Sequence, residues 1–471
     1  MNNTKTHIIL ECITIKNLFN RFDYAIDLRN GENVSILIAP NGCGKTTIFK
    51  IVNFIFRPTL QAYREVSVIP FDECECALSN GKKIKLKSKA VEEMSTELQK
   101  KYADILTMKN QGRYADRENP VARRVLTLHV GTKSINCSKE FKEIASTMDS
   151  DMISLYENAD YSYLESEGMS PRFKAGLGRM ERFTNRWMDF IKDNDCFISV
   201  NFITADRLHT KNEISRFDTY RQRRMGLDIS ERSDDPIKRA QKKTRDLYNQ
   251  MREEYAELQS KAKDELPKRF LKGTDSPWDF DEFKDKWNQY VKDIEKYYEL
   301  GLLDSAETII NERKLKKYYE DKGEFLTIYL DAFARTLKPF SEHYEKLKLF
   351  ADIFNERNRI TKKTISYGRK GIVLKTEETE LPLDCLSSGE KNDFVMFYDL
   401  IFNSEEQGLV LIDEPEISLH IEWQQTFLDS LLEICKMNGL QAIVATHSPN
   451  IIHGHRELFA ERGLEYEAGD R

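Results

Sequence analysis

The first forty residues alternate between apolar and polar positions in the way that β-strands require. HIILECITI (7–15) alternates, RFDYAIDL (21–28) follows it, and VSILIA (34–39) is a continuous apolar run typical of a buried strand. Asn30-Gly31 lies between the last two stretches and favours a tight hairpin turn. The pattern therefore predicts three strands, with a hairpin between the second and the third.

Further strands are predicted at separate places along the chain. Ser79-Asn80-Gly81 separates FDECECAL from KIKLKSK, so a second hairpin is expected there. The other stretches that read as strands are FISVNFITA (197–205), GIVLKT (371–376), GLVLID (408–413) and LQAIVAT (440–446). Because helical patterns separate these strands, the predicted fold class is α/β.

Helical periodicity dominates the middle of the chain. Apolar residues spaced by three and four form two stripes separated by a break at residues 273–277: Leu247, Met251, Tyr255, Leu258 and Ala262, then Phe283, Trp287, Tyr290, Ile294 and Tyr297. A third stripe continues over three heptads, at Leu326, Leu330, Phe333, Leu337, Phe340, Tyr344 and Leu347. Pro339 is expected to kink that helix. The first two stripes predict either an antiparallel helical hairpin or an ordinary helical subdomain.

Composition narrows the class of protein. The chain has 471 residues, 32% of them charged, and its net charge of -6 gives no overall attraction to nucleic acid or to an anionic membrane. No stretch approaches the roughly 20 apolar residues that span a bilayer, and the N-terminus lacks a signal pattern. The eight cysteines are scattered, as is typical of reduced thiols. We therefore expect a cytoplasmic protein without a membrane partner.

APNGCGKTT (39–47) lies between the strand VSILIA and a helix with apolar residues on one face. A glycine-rich loop at such a place turns backbone N–H groups toward phosphates, Lys45 reaches the β- and γ-phosphates, and Thr46 ligates Mg²⁺. The pattern G-x-x-x-x-G-K-[ST] departs only at Ala39, whose small side chain still permits the turn. The residues expected to bind the nucleotide here are Asn41, Gly42, Cys43, Gly44, Lys45, Thr46 and Thr47.

Two later strand ends carry further candidate residues. In GLVLIDEPEISLH the strand ends in Asp413, expected to hold Mg²⁺ together with Thr46, and Glu414, expected to act as the general base. In QAIVATHSPNII, His447 follows a buried strand and is placed to contact a γ-phosphate, although a lone strand-end histidine is often structural. The predicted catalytic residues are Lys45, Glu414 and His447.

CLSSGEKNDF (385–394) places two serines and a glycine directly before a helical run, and a helix start of this kind binds anions. One nucleotide does not need two such helix starts from the same subunit. The economical arrangement is a head-to-tail dimer, in which Ser387, Gly389 and Glu390 contact the ATP held by the partner's glycine-rich loop. The predicted ligands are therefore ATP and Mg²⁺.

Five motifs of the sequence resemble those of an ABC-type ATPase, in particular its SMC, recombination-repair and OLD-type branch. In chain order they are A-P-N-G-C-G-K-T, L-S-S-G-E, L-V-L-I-D-E-P, S-L-H and A-T-H-S-P. The D-loop of that family, which crosses the dimer interface, corresponds to Ser418-Leu419-His420. The resemblance implies a P-loop ATPase head of mixed sheet and helices with an inserted helical or coiled-coil hairpin. It implies an N-terminal lobe at 1–230, the hairpin at 231–320 and a C-terminal lobe at 321–471.

The C-terminal part is similar to stand-alone ATPases of anti-phage defence, such as those of the PARIS and Septu systems. OLD nucleases instead carry a Toprim domain after the histidine motif, whereas this sequence ends at residue 471, soon after His447. The resemblance implies a homo-oligomer, a separately encoded nuclease or toxin effector, and DNA or a phage protein as the trigger. The alternative is an SMC-like repair or chromosome ATPase acting directly on DNA. A transporter subunit is disfavoured by the long insertion.

Two weaker signals leave alternatives open. The segment 221–245 is rich in lysine and arginine, and it fits either contacts with DNA phosphates or a solvated loop and helix face. Its basic residues are Arg221, Arg223, Arg224, Arg232, Lys238, Arg239, Lys242, Lys243 and Arg245. Arg207 follows a strand end, where it either faces the nucleotide or forms a structural ion pair.

Overall fold

The computed structural model describes residues 8–29, 32–38, 42–90, 124–136, 171–204, 235–272, 277–306, 314–377 and 379–460. The chain divides into two compact units, Met1–Arg232 with Asn403–Arg471, and Ser233–Phe402. Residues 321–402 thus group with the predicted helical insertion rather than with residues 403–471. The assignment of functional lobes to 1–230, 231–320 and 321–471 stays a prediction.

Strands and helices are both abundant, so the predicted α/β class is confirmed. The strands are β1 (Leu10–Leu18), β2 (Phe22–Asp27), β3 (Val34–Ile38), β4 (Glu73–Leu78), β5 (Lys83–Ala90), β6 (Arg124–Val130), β7 (Lys133–Asn136), β8 (Val200–Ile203), β9 (Thr364–Gly368), β10 (Gly371–Lys375), β11 (Glu380–Leu381), β12 (Leu409–Asp413) and β13 (Gln441–Thr446).

The helices among the described residues occupy the predicted stretches and several others. They are α1 (Lys45–Phe56), α2 (Leu60–Ser67), α3 (Pro171–Asp193), α4 (Pro236–Lys272), α5 (Phe280–Glu299), α6 (Leu315–Ala334), α7 (Lys338–Arg357), α8 (Ser388–Tyr398), α9 (Ile421–Gln425), α10 (Phe427–Asn438) and α11 (Pro449–Ile452). No helix of the described part is long and apolar enough to cross a bilayer.

The first unit contains an antiparallel sheet with the strand order β2-β1-β4-β5-β6-β7. The predicted hairpin between β4 and β5 is confirmed, and Gly81 at its turn has φ 77°, which favours glycine. The hairpin predicted between β2 and β3 is wrong, because β2 pairs with β1 and β3 lies in a different sheet. The turn residues Asn30 and Gly31 themselves lie outside the described residues.

The second sheet of this unit is parallel throughout, with the order β3-β13-β12-β8. β3 is buried from Val34 through Leu37, and β12 and β13 are buried along their whole length. Strands that are apolar on both faces are stable where other elements cover both faces, which is the setting of a parallel sheet. This burial explains why β3 leaves the antiparallel neighbours that precede it.

One hydrophobic core joins α1 to both sheets of the first unit. The predicted apolar face of α1 is confirmed, since its members Ile48, Ile51, Val52 and Ile55 are all buried in this core. Trp187 of α3 packs on the same core and donates its indole N–H to the carbonyl of Ile55 across 2.9 Å. Burial of each such large side chain contributes roughly 1.5–3 kcal/mol, so the start of α1 is held firmly.

The second unit is mainly helical. α6 packs against both α4 and α5, and Phe283 and Trp287 share a core cluster with Leu326 and Leu330. These contacts favour an ordinary helical subdomain over an isolated two-helix hairpin. A 3₁₀ turn at 335–337 separates α6 from α7 just before Pro339, while the backbone there stays in the right-handed helical region, so the predicted kink stays a prediction.

Helix α8, which carries the serine–glycine segment, is anchored within the second unit. Arg357 at the end of α7 forms an ion pair with Asp393 at 2.9 Å, and both side chains are buried. The ring of Phe394 makes an edge contact with Phe350, with centroids 5.2 Å apart. A buried, paired charge and an aromatic contact on the same helix fix its rotation, and therefore the direction of its N-terminus.

Candidate functional site

The carboxyl ends of β3, β13 and β12 meet at one edge of the parallel sheet. Their register pairs Ile38 with Thr446, and Ala445 with Asp413. Ligands of open parallel sheets bind outside this edge. The structure therefore brings the glycine-rich loop, Asp413 and His447 together, as the sequence predicted.

The glycine-rich loop leads directly into the first turn of α1. Gly42 and Gly44 have φ values of 86° and 87°, a conformation that favours glycine. A Cβ atom at Gly44 would lie 2.9 Å from the ring of Phe19, so this position also lacks room for a side chain. Asn41 lies outside the described residues, while residues 42–47 form the loop end and the helix start as predicted.

Thr46 and Asp413 meet directly beneath this loop. Thr46 Oγ1 donates a hydrogen bond to Asp413 Oδ2 across 2.6 Å, whereas Asp413 Oδ1 is buried without a hydrogen-bond partner in the described part of the chain. Burial is the main cause that raises the pKa of Asp413, and the bond from Thr46 opposes it. A buried carboxylate with one unused oxygen beside a hydroxyl is a donor set that suits a hard cation such as Mg²⁺.

Glu414 has a backbone conformation that is rare for its residue type. Its φ is 44° and its ψ 61°, in the left-handed region, and its N–H donates to the carbonyl of Ala445 across 2.8 Å. This conformation costs a non-glycine residue roughly 1–2 kcal/mol. Strain of this kind is frequent at functional sites, where the surroundings enforce a side-chain direction.

His447 lies between two carboxylates. Its Nδ1 is 3.2 Å from Glu416 Oε1 and 3.7 Å from Glu414 Oε1. The sequence interpretation missed Glu416, whose Oε1 also accepts hydrogen bonds from Thr446 Oγ1 and from the backbone N–H of His447. The available signal was Pro415, because proline favours the first position of a helical turn, here the 3₁₀ turn Pro415–Ser418.

The serine–glycine segment forms the start of α8 in the second unit. Ser387 is the N-cap, and its side chain and that of Glu390 bond each other's backbone N–H groups in a capping box. Lys363 donates to both carboxylate oxygens of Glu390, at 3.0 and 2.8 Å. The carboxylate of Glu390 thus orders the helix start, and its predicted contact with ATP, like those of Ser387 and Gly389, stays a prediction.

The segment that corresponds to a D-loop follows Glu416. Leu419 is buried, while Ile417 and Ile421 on either side of it expose 58% and 60% of their surface. The expected place of this segment at a dimer interface stays a prediction.

The described residues do not decide between the alternative roles of Arg207 and of the basic segment. Arg207 and the basic residues Arg221, Arg223, Arg224 and Arg232 lie outside the described residues. Lys238, Arg239, Lys242, Lys243 and Arg245 belong to α4 and are exposed. Their exposure fits both the DNA-phosphate and the solvated interpretation.

A parallel sheet, a glycine-rich loop at a helix start and a threonine–aspartate pair define a P-loop nucleoside triphosphatase. The family model described as "AAA ATPase domain" matches residues 9–452. The chain therefore belongs to the AAA ATPase domain family, and the predicted ATPase class is confirmed.

Two curated proteins are similar to part of the chain. The Retron Ec83 probable ATPase of Escherichia coli is 28% identical over 142 residues, which are 30% of this chain and 24% of that protein. The Septu protein PtuA of Bacillus thuringiensis is 29% identical over 122 residues, which are 23% of this chain and 30% of that protein. The predicted resemblance to a Septu-type ATPase is confirmed, although the matches span less than a third of either relative.

Solved structures also show a distant likeness. The Smc head domain of Pyrococcus furiosus with an extended coiled coil, bound to the C-terminal domain of ScpA, has a TM-score of 0.39 and 13% identity, and 94% of this chain and 91% of that chain are covered. A Smc head bound to the C-winged helix domain of ScpA has a TM-score of 0.33 and 12% identity, with 94% and 90% covered.

Proposed function

We propose that the protein binds and hydrolyses Mg²⁺–ATP as a head-to-tail dimer or higher homo-oligomer, and that its nucleotide state controls a separately encoded nuclease or toxin in anti-phage defence. The contact between Thr46 and Asp413, which leaves one buried carboxylate oxygen unused beside the glycine-rich loop, carries the first part of this proposal. The other parts rest on the arrangement of α8, on the D-loop segment and on the relatives.

The residues of the first unit have separate roles in hydrolysis. Backbone N–H groups at the start of α1 and the ammonium group of Lys45 bind the phosphates. Thr46 and Asp413 would hold Mg²⁺, which when bound offsets the charge of the β- and γ-phosphates. Glu414 orients the attacking water and accepts its proton, and His447 contacts the γ-phosphate.

The start of α8 supports a site shared between two copies. A helix N-terminus carries a partial positive charge, and the capping box fixes the backbone at the start of α8. This charge suits the γ-phosphate of an ATP molecule held by another subunit. The exposed Ile417 and Ile421 offer apolar surface to the same partner.

The proposed effector follows from the relatives and from the resemblance in the sequence motifs. The two similar proteins are named for a retron and for a Septu system. Nucleotide-driven closure of two heads changes the surfaces that an effector can contact, so the heads and the helical region are the proposed docking faces. DNA or a phage protein is the proposed trigger.

Expression under phage challenge tests the effector. The chain is expressed with and without the gene next to its own, and Lys45→Ala serves as the nucleotide-deficient control. We expect protection only when both genes are present and Lys45 is intact. Protection by this chain alone, dependent on Lys45, would overturn the partner model and favour the SMC-like alternative of direct action on DNA.

A further inference from the structure

Glu416 is a buried carboxylate at the centre of the candidate site. Only 8% of its side chain is exposed, and its Oε2 has no hydrogen-bond partner in the ranges that the structure describes. Its Oε1 accepts hydrogen bonds from Thr446 Oγ1 at 2.7 Å and from the His447 N–H at 3.0 Å. Burial of a carboxylate costs free energy because the charge loses its hydration, unless hydrogen bonds and opposite charges offset that loss.

A closed network of buried and partly buried hydrogen bonds connects Glu416 to the loop that carries His447. Gln424 Nε2 donates to the carbonyls of Glu416 and Leu419, and Gln424 Oε1 accepts from Ser448 Oγ. The backbone N–H of Ser448 donates to Thr446 Oγ1, which in turn donates to Glu416. These hydrogen bonds therefore hold the turn after β12 and the loop after β13 in a fixed position relative to each other, since each donor in the network has its acceptor.

The ring of His447 is the part of this network that is not buried. Nearly half of its side chain is exposed, and Nδ1 faces Glu416 at 3.2 Å and Glu414 at 3.7 Å. The negative charge of a carboxylate near one ring nitrogen favours a proton on that nitrogen, which leaves the other nitrogen for a ligand. Here the remaining atom is Nε2.

We propose that Glu416 is a positioning residue, which holds a proton on Nδ1 of His447 and presents Nε2 to the γ-phosphate. Through the hydrogen-bond network it also ties this orientation to the D-loop segment 418–420, so that a change in that segment reaches His447. The inference rests on the proposed role of His447 in ATP hydrolysis and adds a residue that acts through it.

Glu416→Gln is the informative variant, because a glutamine oxygen still accepts from Thr446 and from the backbone of His447. The nearer of the two charges that face Nδ1 is lost, while Glu414 at 3.7 Å remains. Partners that orient a histidine typically matter by 10- to 100-fold, so we expect kcat to fall by about 10-fold or more. The KM for ATP and the melting temperature should stay close to wild type. Glu422→Gln, at an exposed position of α9, is the matched control and should leave all three unchanged.

A double variant separates positioning from a structural role. When Glu416→Gln is added to His447→Ala, kcat should not fall further, because Glu416 acts through the imidazole of His447, which the first substitution has already removed. Equal losses in the wild-type and His447→Ala backgrounds, or a wild-type kcat for Glu416→Gln beside an impaired His447→Ala, would overturn the inference. If Lys45→Ala and Glu414→Gln also hydrolyse ATP normally, the proposed function itself fails.

NMR of protein labelled with ¹⁵N-histidine gives a readout that does not depend on activity. The His447 signals are assigned by their absence in His447→Ala. In the wild type we expect the shifts of a ring protonated at Nδ1, and in Glu416→Gln a shift toward the other tautomer. Identical His447 shifts in the two proteins would contradict the proposed proton position.

Discussion

The hydroxyl of Thr46 donates a hydrogen bond of 2.6 Å to Asp413, which joins the first turn of α1 to the end of β12. The bond uses one carboxylate oxygen and leaves the other buried beside the phosphate loop. The two residues thus hold each other in a defined orientation. Preorganisation of this kind lowers the ordering cost of binding.

Asp413→Asn tests this pair as the Mg²⁺ site. The substitution removes a buried charge but keeps an oxygen for Thr46, so the nucleotide-free protein should melt close to the wild-type temperature. Stabilisation by Mg²⁺–ATP should be lost, whereas the wild type should gain about 2.7 kcal/mol at 100 times its dissociation constant. Thermal unfolding with ATP, with and without EDTA, measures the difference. A wild-type Mg²⁺ response in the variant would remove Asp413 from the metal site.

Glu414→Gln should separate nucleotide binding from hydrolysis. The amide cannot accept the proton of the attacking water, so kcat should fall by roughly 10²-fold or more while ATP still binds. Phosphate release and equilibrium binding of a fluorescent ATP analogue measure the two properties. Lys45→Ala is the contrasting variant, since it should lose binding itself. Near wild-type turnover in Glu414→Gln would contradict the assignment of the general base.

Mixing two inactive variants tests the shared site. Ser387→Asp keeps a good N-cap but places a negative charge where the γ-phosphate is expected, and Ser387→Asn keeps the cap without that charge. We expect Ser387→Asp and Lys45→Ala each to be inactive alone, and Ser387→Asn to retain more activity. The mixture should recover part of the ATPase activity, because one composite site in a mixed dimer is intact. Absence of recovery between freely exchanging subunits would place Ser387 in its own molecule's site or in none.

The capping box predicts a pH dependence of stability. Burial raises the pKa of Glu390, but hydrogen bonds from Lys363 and from the Ser387 backbone outweigh it, so the pKa lies below the usual 4.5. A carboxylate with a lowered folded pKa contributes stability that is present above its unfolded pKa and is lost as the pH falls through the folded pKa. The unfolding free energy of the wild type should therefore fall below about pH 4.5 more steeply than that of Glu390→Gln.

Urea unfolding at pH values from 6 down to 3.5 checks this expectation. At neutral pH Glu390→Gln should be the less stable protein by roughly 1–3 kcal/mol, because Lys363 loses its charged partner. Glu377→Gln is the control, since Glu377 forms an exposed ion pair with Lys362 and such pairs contribute little. Parallel pH curves for the wild type and Glu390→Gln would show that the capping box carries no acid-sensitive stability.

Local sequence patterns were sufficient to predict the glycine-rich loop and the strand ends of the candidate site. Gly44, Lys45 and Thr46 stand at the start of a helix with an apolar face, and short-range geometry is enough to predict that loop conformation. The strands that end at Asp413 and just before His447 could also be predicted, because each is a continuous apolar run with polar residues after it. The end of one helix and the start of the next near Pro339 also follow from local sterics.

Which segments pack together depends on long-range contacts that local patterns do not reveal. The pairing of β3 with β13 rather than with β2 depends on burial on both faces of the sheet, and residues close in sequence cannot reveal that. Glu416 was missed because its role arises from a turn that brings it against Thr446, which lies on another strand. Glu390 reads as part of a phosphate-binding segment, yet Lys363 and the helix start engage its carboxylate. A buried charge takes its role from the partners that folding places around it, and the sequence alone does not list those partners.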